Sequence, residues 1–145
     1  MARVSTYLNF MGRTEEAFEF YRSVFGTEYL DPPARMGDVP SDPSGPTLGE
    51  AEQRLIMHVE LPILGGHVLM GTDMLESMGH VLQLGNNVSI NLEPDTRAET
   101  ERLFAALSEG GSDVFGLEEM FWGALFGSCR DRFGITWMCN GPVAD

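Results

Sequence analysis

Basic residues are scarce in this chain. Nine Lys and Arg stand against twenty-two Asp and Glu in 145 residues, a formal charge of −13. Phosphate backbones and anionic membrane surfaces are gripped by clustered cations, so this balance excludes a nucleic-acid or membrane-surface binder. Cysteine is also sparse: Cys129 and Cys139 are the whole supply, too few for a disulfide framework. Long apolar runs are missing, and no stretch approaches the ~18 residues a membrane span needs. The first ten residues hold no basic segment followed by an apolar one, so no secretory leader is predicted. A reducing, cytoplasmic setting is expected. What the chain does have is hydrophobic residues, 43% of the total. That is enough for a packed core and too much for a disordered chain. The length predicts one domain.

Periodicity divides the chain into short elements. Residues 3–10 predict a strand closed by Met11-Gly12, and residues 14–25 predict a helix. Ala17, Phe18, Tyr21, Val24 and Phe25 form one apolar stripe on that helix. Glu15 and Glu16 sit in its first turn, where the helix dipole favours negative charge, and Gly26 ends it. Residues 27–30 read as the start of a second strand. The stretch 31–49 differs from the rest: Pro32, Pro33, Pro40, Pro43 and Pro46 accompany Gly37 and Gly45. Such a stretch keeps no regular ladder. It is expected to be a mobile surface loop, either disordered or functional.

Residues 54–63 and 67–72 flank Gly65-Gly66, a hairpin signal. A two-residue turn there would set Glu60 opposite Gly71 and His58 opposite Asp73. Residues 73–85 carry no clear period. Residues 87–92 read as a strand and 96–107 as a second helix, with Thr96 and Glu99 spaced as a capping box and Leu103, Ala106 and Leu107 as its stripe. Gly110-Gly111 stops it. Three further strands follow at 112–121, 123–131 and 135–140, the last two joined by a turn at Asp131-Arg132-Phe133-Gly134. The order strand, helix, strands thus occurs twice, over residues 1–73 and 86–145. Val4-Ser5 recurs as Val88-Ser89, and Phe20-Tyr21 is answered by Leu103-Phe104. Neither half buries its sheet alone, so the two are expected to pack as one α+β domain.

Several motifs stand in an ordered series over nearly the whole chain. They are Tyr7-Leu8-Asn9-Phe10-Met11-Gly12, Glu16-Ala17-Phe18-Glu19-Phe20-Tyr21, Val24-Phe25-Gly26, Met57-His58-Val59-Glu60-Leu61, Leu69-Met70-Gly71, Phe121-Trp122-Gly123, Phe126-Gly127, and Asp131 through Met138. With the doubled βαβββ order they resemble the PhnB-like branch of the vicinal oxygen chelate superfamily, the glyoxalase, bleomycin-resistance and dioxygenase fold. The resemblance implies curved mixed sheets around a groove, with helices outside. Metal-dependent members place His, Gln or Glu on the inner face of four strands. Those positions fall near Thr6, Met70, Val88 or Ser89, and Met138. None is a normal ligand for a hard or borderline divalent ion, so no metal or other cofactor is expected. No glycine-rich strand-to-helix loop suits a methyl-donor cofactor either.

The resemblance therefore implies a metal-independent protein that binds a small apolar molecule of unspecified identity. Its pocket residues would be Thr6, Leu8, Phe121, Trp122 and Met138. It also implies a homodimer, since relatives pair chains and the strand at 3–10 carries no edge-blocking proline. Two alternatives stay open. One is a lyase- or dioxygenase-type enzyme whose metal or acid–base site has moved to His58, Glu60 and Asp73, where His58 and Glu60 share a strand face. The other is a dimerising interaction module without ligand. His67 beside the turn is expected to be solvated, and His80 has no predicted partner. Trp137 reads as core, whereas Trp122 suits pocket, interface or core. Counting across the last turn puts Cys129 opposite Thr136 and Cys139 opposite Phe126, thiols on opposite sides of the sheet and unable to bond. The nine methionines read as gap-fillers.

Overall fold

Where apolar residues recur every third and fourth position the chain coils, and where they alternate it pairs. The computed structural model describes residues 1–40, 43–45 and 47–145. Ser41, Asp42 and Pro46, part of the expected mobile loop, lie outside the described residues. The chain divides into two units, Met1–Gln83 and Leu84–Asp145. No helix among the described residues is long and apolar enough to cross a membrane.

In the first unit β1 (Thr6–Phe10) leads into α1 (Thr14–Phe25), then β2 (Ala34–Arg35), α2 (Glu50–Gln53), β3 (Ile56–Pro62) and β4 (Val68–Asp73). The sheet order is β1-β4-β3-β2. β1 runs parallel to β4, and the other pairs are antiparallel. The second unit repeats this plan with β5 (Ile90–Leu92), α3 (Arg97–Ser108), β6 (Ser112–Glu119), β7 (Ala124–Arg130) and β8 (Thr136–Pro142), in the order β5-β8-β7-β6. β5 again runs parallel to β8. This is the α+β, twice-used βαβββ architecture that the pattern predicts.

Each sheet is covered on one face by its helix. α1 buries Thr14, Ala17, Phe18, Tyr21 and Val24 over β3 and β4. Gly71 makes room for it: a Cβ there would overlap the Phe18 ring. Gly26, in the left-handed conformation, closes α1 with its N–H on the Arg22 carbonyl at 2.9 Å. α3 buries Thr100, Leu103, Phe104 and Leu107, and a Cβ on Gly141 would overlap Thr100. Thr96 caps α3, its Oγ1 accepting from Glu99 N–H at 3.1 Å. The Glu99 carboxylate turns to Arg102 instead, at 2.7 Å.

Three local expectations are corrected. No strand begins at 27–30; Leu30 N–H donates to the Glu60 carbonyl at 3.1 Å, and the paired segment comes later. It lies at Ala34–Arg35, inside the stretch expected to hold no ladder. The Arg35 guanidinium anchors that segment, reaching Glu15 at 2.6 Å and the Arg54 carbonyl at 2.7 Å. The first hairpin turn holds three residues rather than two. Leu64–Gly66 form a 3-10 turn, and Ile63 N–H donates to the His67 carbonyl at 2.7 Å. Glu60 therefore faces Met70, and Val59 faces Gly71. The last hairpin is also shifted by one: Cys129 pairs with Trp137 and Gly127 with Cys139.

Candidate functional site

A one-residue shift sends every side chain of a strand to the other face. On β1 the face of each side chain is set by its burial alternation. Leu8 and Phe10 are buried on the side that packs against α1. Thr6, two residues before Leu8, shares that side, and its hydroxyl meets His67 Nε2 at 2.8 Å. Thr6 and Leu8, expected in the pocket, thus belong to the covered face. His67, expected to be solvated, holds Thr6 instead. The open face of β1 carries Tyr7, which sequence reasoning missed although its alternation with Leu8 and Phe10 gave the signal.

Asp73 is likewise separated from His58 and Glu60. It is 3% exposed and sits at the entry of α1. One carboxylate oxygen accepts from Thr14 N–H at 3.0 Å and Thr14 Oγ1–H at 2.7 Å, the other from Ile56 N–H at 2.9 Å. It ties helix to sheet. His58 and Glu60 point the other way, alternating with buried Val59 and Leu61. On that open face the Tyr7 hydroxyl lies 3.3 Å from His58 Nδ1, His58 Nε2 lies 3.7 Å from Glu60 Oε2, and Arg3 reaches Glu60 Oε1 at 3.3 Å. Ser5 Oγ–H donates to Met70 Sδ at 3.6 Å.

The second unit has a different open face. Trp137, Cys139, Leu125 and Cys129 are buried toward α3, so the alternate residues Phe126, Ser128, Met138 and Asn140 look outward. Phe126 pairs with Asn140, and Ser128 with Met138. Beyond them, at the β6–β7 turn, Phe121 is 98% and Trp122 51% exposed. The Trp122 ring stands edge-on to Phe121 at 5.0 Å between centroids and to Phe126 at 6.0 Å. Phe115 approaches Phe126 at 6.1 Å from the other side. Opposite Phe126 on β8, Asn140 Oδ1 is buried and has no hydrogen-bond partner among the described residues. Its place next to Met138 on an outward register was a readable signal that sequence reasoning passed over. Trp137 is core, its Nε1–H donating to Asp131 at 2.8 Å.

Both cysteines lie on the α3 side, not on opposite faces, and both are free. Burial and the nearby Asp131 push the Cys129 thiol up to about 11. Burial and Cys129 push Cys139 up to about 12. Both are therefore neutral, structural thiols at ordinary pH. His80 accepts from Leu75 N–H at 2.9 Å and serves the turn after β4.

The metal of the superfamily needs oxygen or imidazole donors that converge. The open faces offer Ser5, Tyr7, His58, Glu60, Met70 and Thr72 in one unit and Ser89, Asn91, Met138 and Asn140 in the other. Of these, His58 and Glu60 are ordinary metal ligands, but they are two only, engaged by Tyr7 and Arg3, and Met70 and Met138 offer thioethers. Among the described residues no three His, Cys, Asp or Glu side chains come together. The donor set does not fit such a metal.

Comparison with known proteins agrees with this architecture. The solved structure of protein PA1353 from Pseudomonas aeruginosa superposes with a TM-score of 0.80 at 35% identity, covering 98% of each chain. Protein YjdN of Escherichia coli K12 is 26% identical over 144 residues, 94% of this chain and 93% of its own. A PhnB protein from Bacillus cereus matches in fold with a TM-score of 0.74 at 24% identity, over 97% of this chain and 99% of that one. A glyoxylase/bleomycin resistance protein/dioxygenase domain from Frankia shares the fold at a TM-score of 0.64 and 12% identity, over 98% of this chain and 93% of its own. The family model described as 3-demethylubiquinone-9 3-methyltransferase matches residues 2–139, and the chain belongs to that PhnB-like family of the glyoxalase/bleomycin-resistance fold.

Proposed function

We propose that this protein binds a small molecule without a metal, on the aromatic open face of the β5–β8 sheet. The observation that carries the reading is the ring cluster of Phe121, Trp122 and Phe126 with Asn140 paired across from Phe126, its Oδ1 without a partner among the described residues. Small-ligand sites are mainly apolar with a few placed polar groups. An unpaired buried acceptor costs roughly 1–3 kcal/mol, and a ligand N–H or O–H would relieve that cost. The preferred ligand is thus an apolar or aromatic body with one hydrogen-bond donor.

Methyl transfer is not part of this proposal. Both strand-to-helix connections are filled by the chain itself: Asp73 occupies the first N–H of α1, and Thr96 caps α3. Neither connection leaves the open glycine-rich cradle that a nucleotide-type methyl donor uses. The test is a thermal-shift screen of neutral aromatic compounds on protein dialysed against chelator. A ligand at a hundred times its Kd should stabilise by about 2.7 kcal/mol, and Trp122→Ala or Asn140→Leu should abolish the shift. Hits that bind only after Mn²⁺ or Zn²⁺ is added back would defeat the reading.

A second reading rests on the Tyr7–His58–Glu60 contacts. An imidazole between a phenol and a carboxylate is a general acid–base arrangement. Any turnover detected should then vanish in His58→Ala and survive Trp122→Ala. For assembly we propose a homodimer. β1 and β6 are sheet edges, and unpaired edges are covered in stable proteins. Light scattering at micromolar protein should report twice the 16.0 kDa chain mass; a monomer mass would overturn this.

A further inference from the structure

The first unit holds a half-open cavity of about 570 Å³. It lies between the proline-rich stretch, the start of β3 and the turn after β4. Three of the chain's nine methionines converge on it, Met36, Met57 and Met78, with Leu48 and Leu75. None of the described residues lining it is charged or aromatic, in a chain with 21% charged and 10% aromatic residues.

The walls are pinned. Met36 N–H donates to the Leu55 carbonyl at 2.8 Å, and Gln53 Nε2–H donates to the Leu48 carbonyl at 3.0 Å. Ser77 Oγ–H closes the far side on Glu52 at 2.6 Å. Gly37 lies so close to Gln53 that a Cβ would stand 3.1 Å from its backbone oxygen. These bonds fix the described walls around a volume typical of ligand pockets.

We propose that this cavity is a binding site for a neutral molecule with a flexible alkyl chain and a single hydrogen-bonding head, such as a medium-chain alcohol. Thioether and branched aliphatic walls adapt to a flexible chain and offer no ring for a flat ligand to stack on. Among the described residues, the polar side chains on the lining are Thr47 and Gln53. Gln53 spends its amide N–H on Leu48, so its Oε1 is left to accept from a hydroxyl head. A charged head would lose its hydration against a wall without counter-charge. The net charge of −13 further repels a carboxylate.

The test uses protein labelled with ¹³C at the methionine methyls, titrated with octan-1-ol and, separately, with octanoate. Octan-1-ol should move the Met36, Met57 and Met78 signals and leave Met138 unmoved, and octanoate should bind at least about tenfold more weakly. Leu48→Asp, a loop substitution, should weaken octan-1-ol binding by a similar factor, while Trp122→Ala should leave it intact. The proposal is overturned if octanoate binds as well as the alcohol, if Met138 responds in place of the three, or if no signal moves at saturating alcohol. It is also overturned if Leu48→Asp binds unimpaired. Because the aromatic-face reading is probed through Trp122 and Asn140, the two can fail separately.

Discussion

Removing the Asp73 carboxylate should cost far more stability than removing His58, although the two lie in adjacent strands. Asp73 accepts from Thr14 N–H, Thr14 Oγ1–H and Ile56 N–H at 2.7–3.0 Å in a site that is 3% exposed. In Asp73→Ala two backbone donors are left in a dry site, each worth roughly 1–3 kcal/mol. The relieved cost of burying a carboxylate offsets part of this. The net loss is about 3 kcal/mol, a large share of the ~5–15 kcal/mol that holds a typical domain together. It should lower Tm by about 10 °C in a chain of this size. His58, by contrast, makes a half-exposed contact to Glu60 at 3.7 Å, and His58→Ala should cost less than ~1 kcal/mol. Urea unfolding followed by circular dichroism compares the two directly. If Asp73→Ala moves the midpoint no further than His58→Ala, the carboxylate does not tie α1 to the sheet and the reasoning fails.

Gly71→Ala should also destabilise, by about 1–3 kcal/mol of overpacking, because its Cβ overlaps Phe18; an unchanged Tm would count against it. Cys129, pushed up to about 11, holds roughly a thousandth of its thiol as thiolate at pH 8. Both thiols should resist a disulfide reagent in native protein and react fully in guanidinium. Hydrogen bonds from Arg35, Arg22 and Arg102 hold Glu15, Glu19 and Glu99 below the usual carboxylate range. Their stabilisation is present above that range and lost as pH falls through the lowered values. Tm should therefore decline between about pH 5 and pH 3, and a flat profile there would refute it.

Helix α1 was readable to the residue because three independent signals agree: a stripe, acidic residues in the first turn and a terminal glycine. Strand identity was equally plain in β3, β4, β7 and β8. Register was not. Nothing in Ile63-Leu64-Gly65-Gly66-His67 states whether Leu64 closes a strand or opens a turn, yet that one residue moves Asp73 away from His58. The same ambiguity at Asp131–Gly134 put the two cysteines on opposite faces, when both lie under α3. On β1 the apolar alternation of Leu8 and Phe10 already marked the covered face, and counting from family positions ran against it. The proline-rich stretch hid its short ladder because Arg35 is held by charge and by the Arg54 carbonyl, partners distant in sequence.

The two units show how one backbone plan carries two chemistries. On the covered faces the constraints match: each helix descends onto the strand that runs parallel to its unit's first strand, at a glycine, with Gly71 under Phe18 and Thr14 and Gly141 under Thr100. A Cβ at either place lifts the helix and loosens every contact below it. The open faces are free of that demand. One carries Tyr7, His58, Glu60 and Arg3 in a polar chain, and the other carries packed rings with Asn140 opposite Phe126, its amide oxygen unpaired among the described residues. Substitutions on the open faces therefore cost folding little, while substitutions at these glycines cost packing. A Trp122→Ala protein should keep the Tm of the parent within about 2 °C, as surface changes do, even as it loses binding of the proposed aromatic ligand. A large fall in Tm would mean that the ring cluster is part of the core, and the proposed binding face would lose its basis.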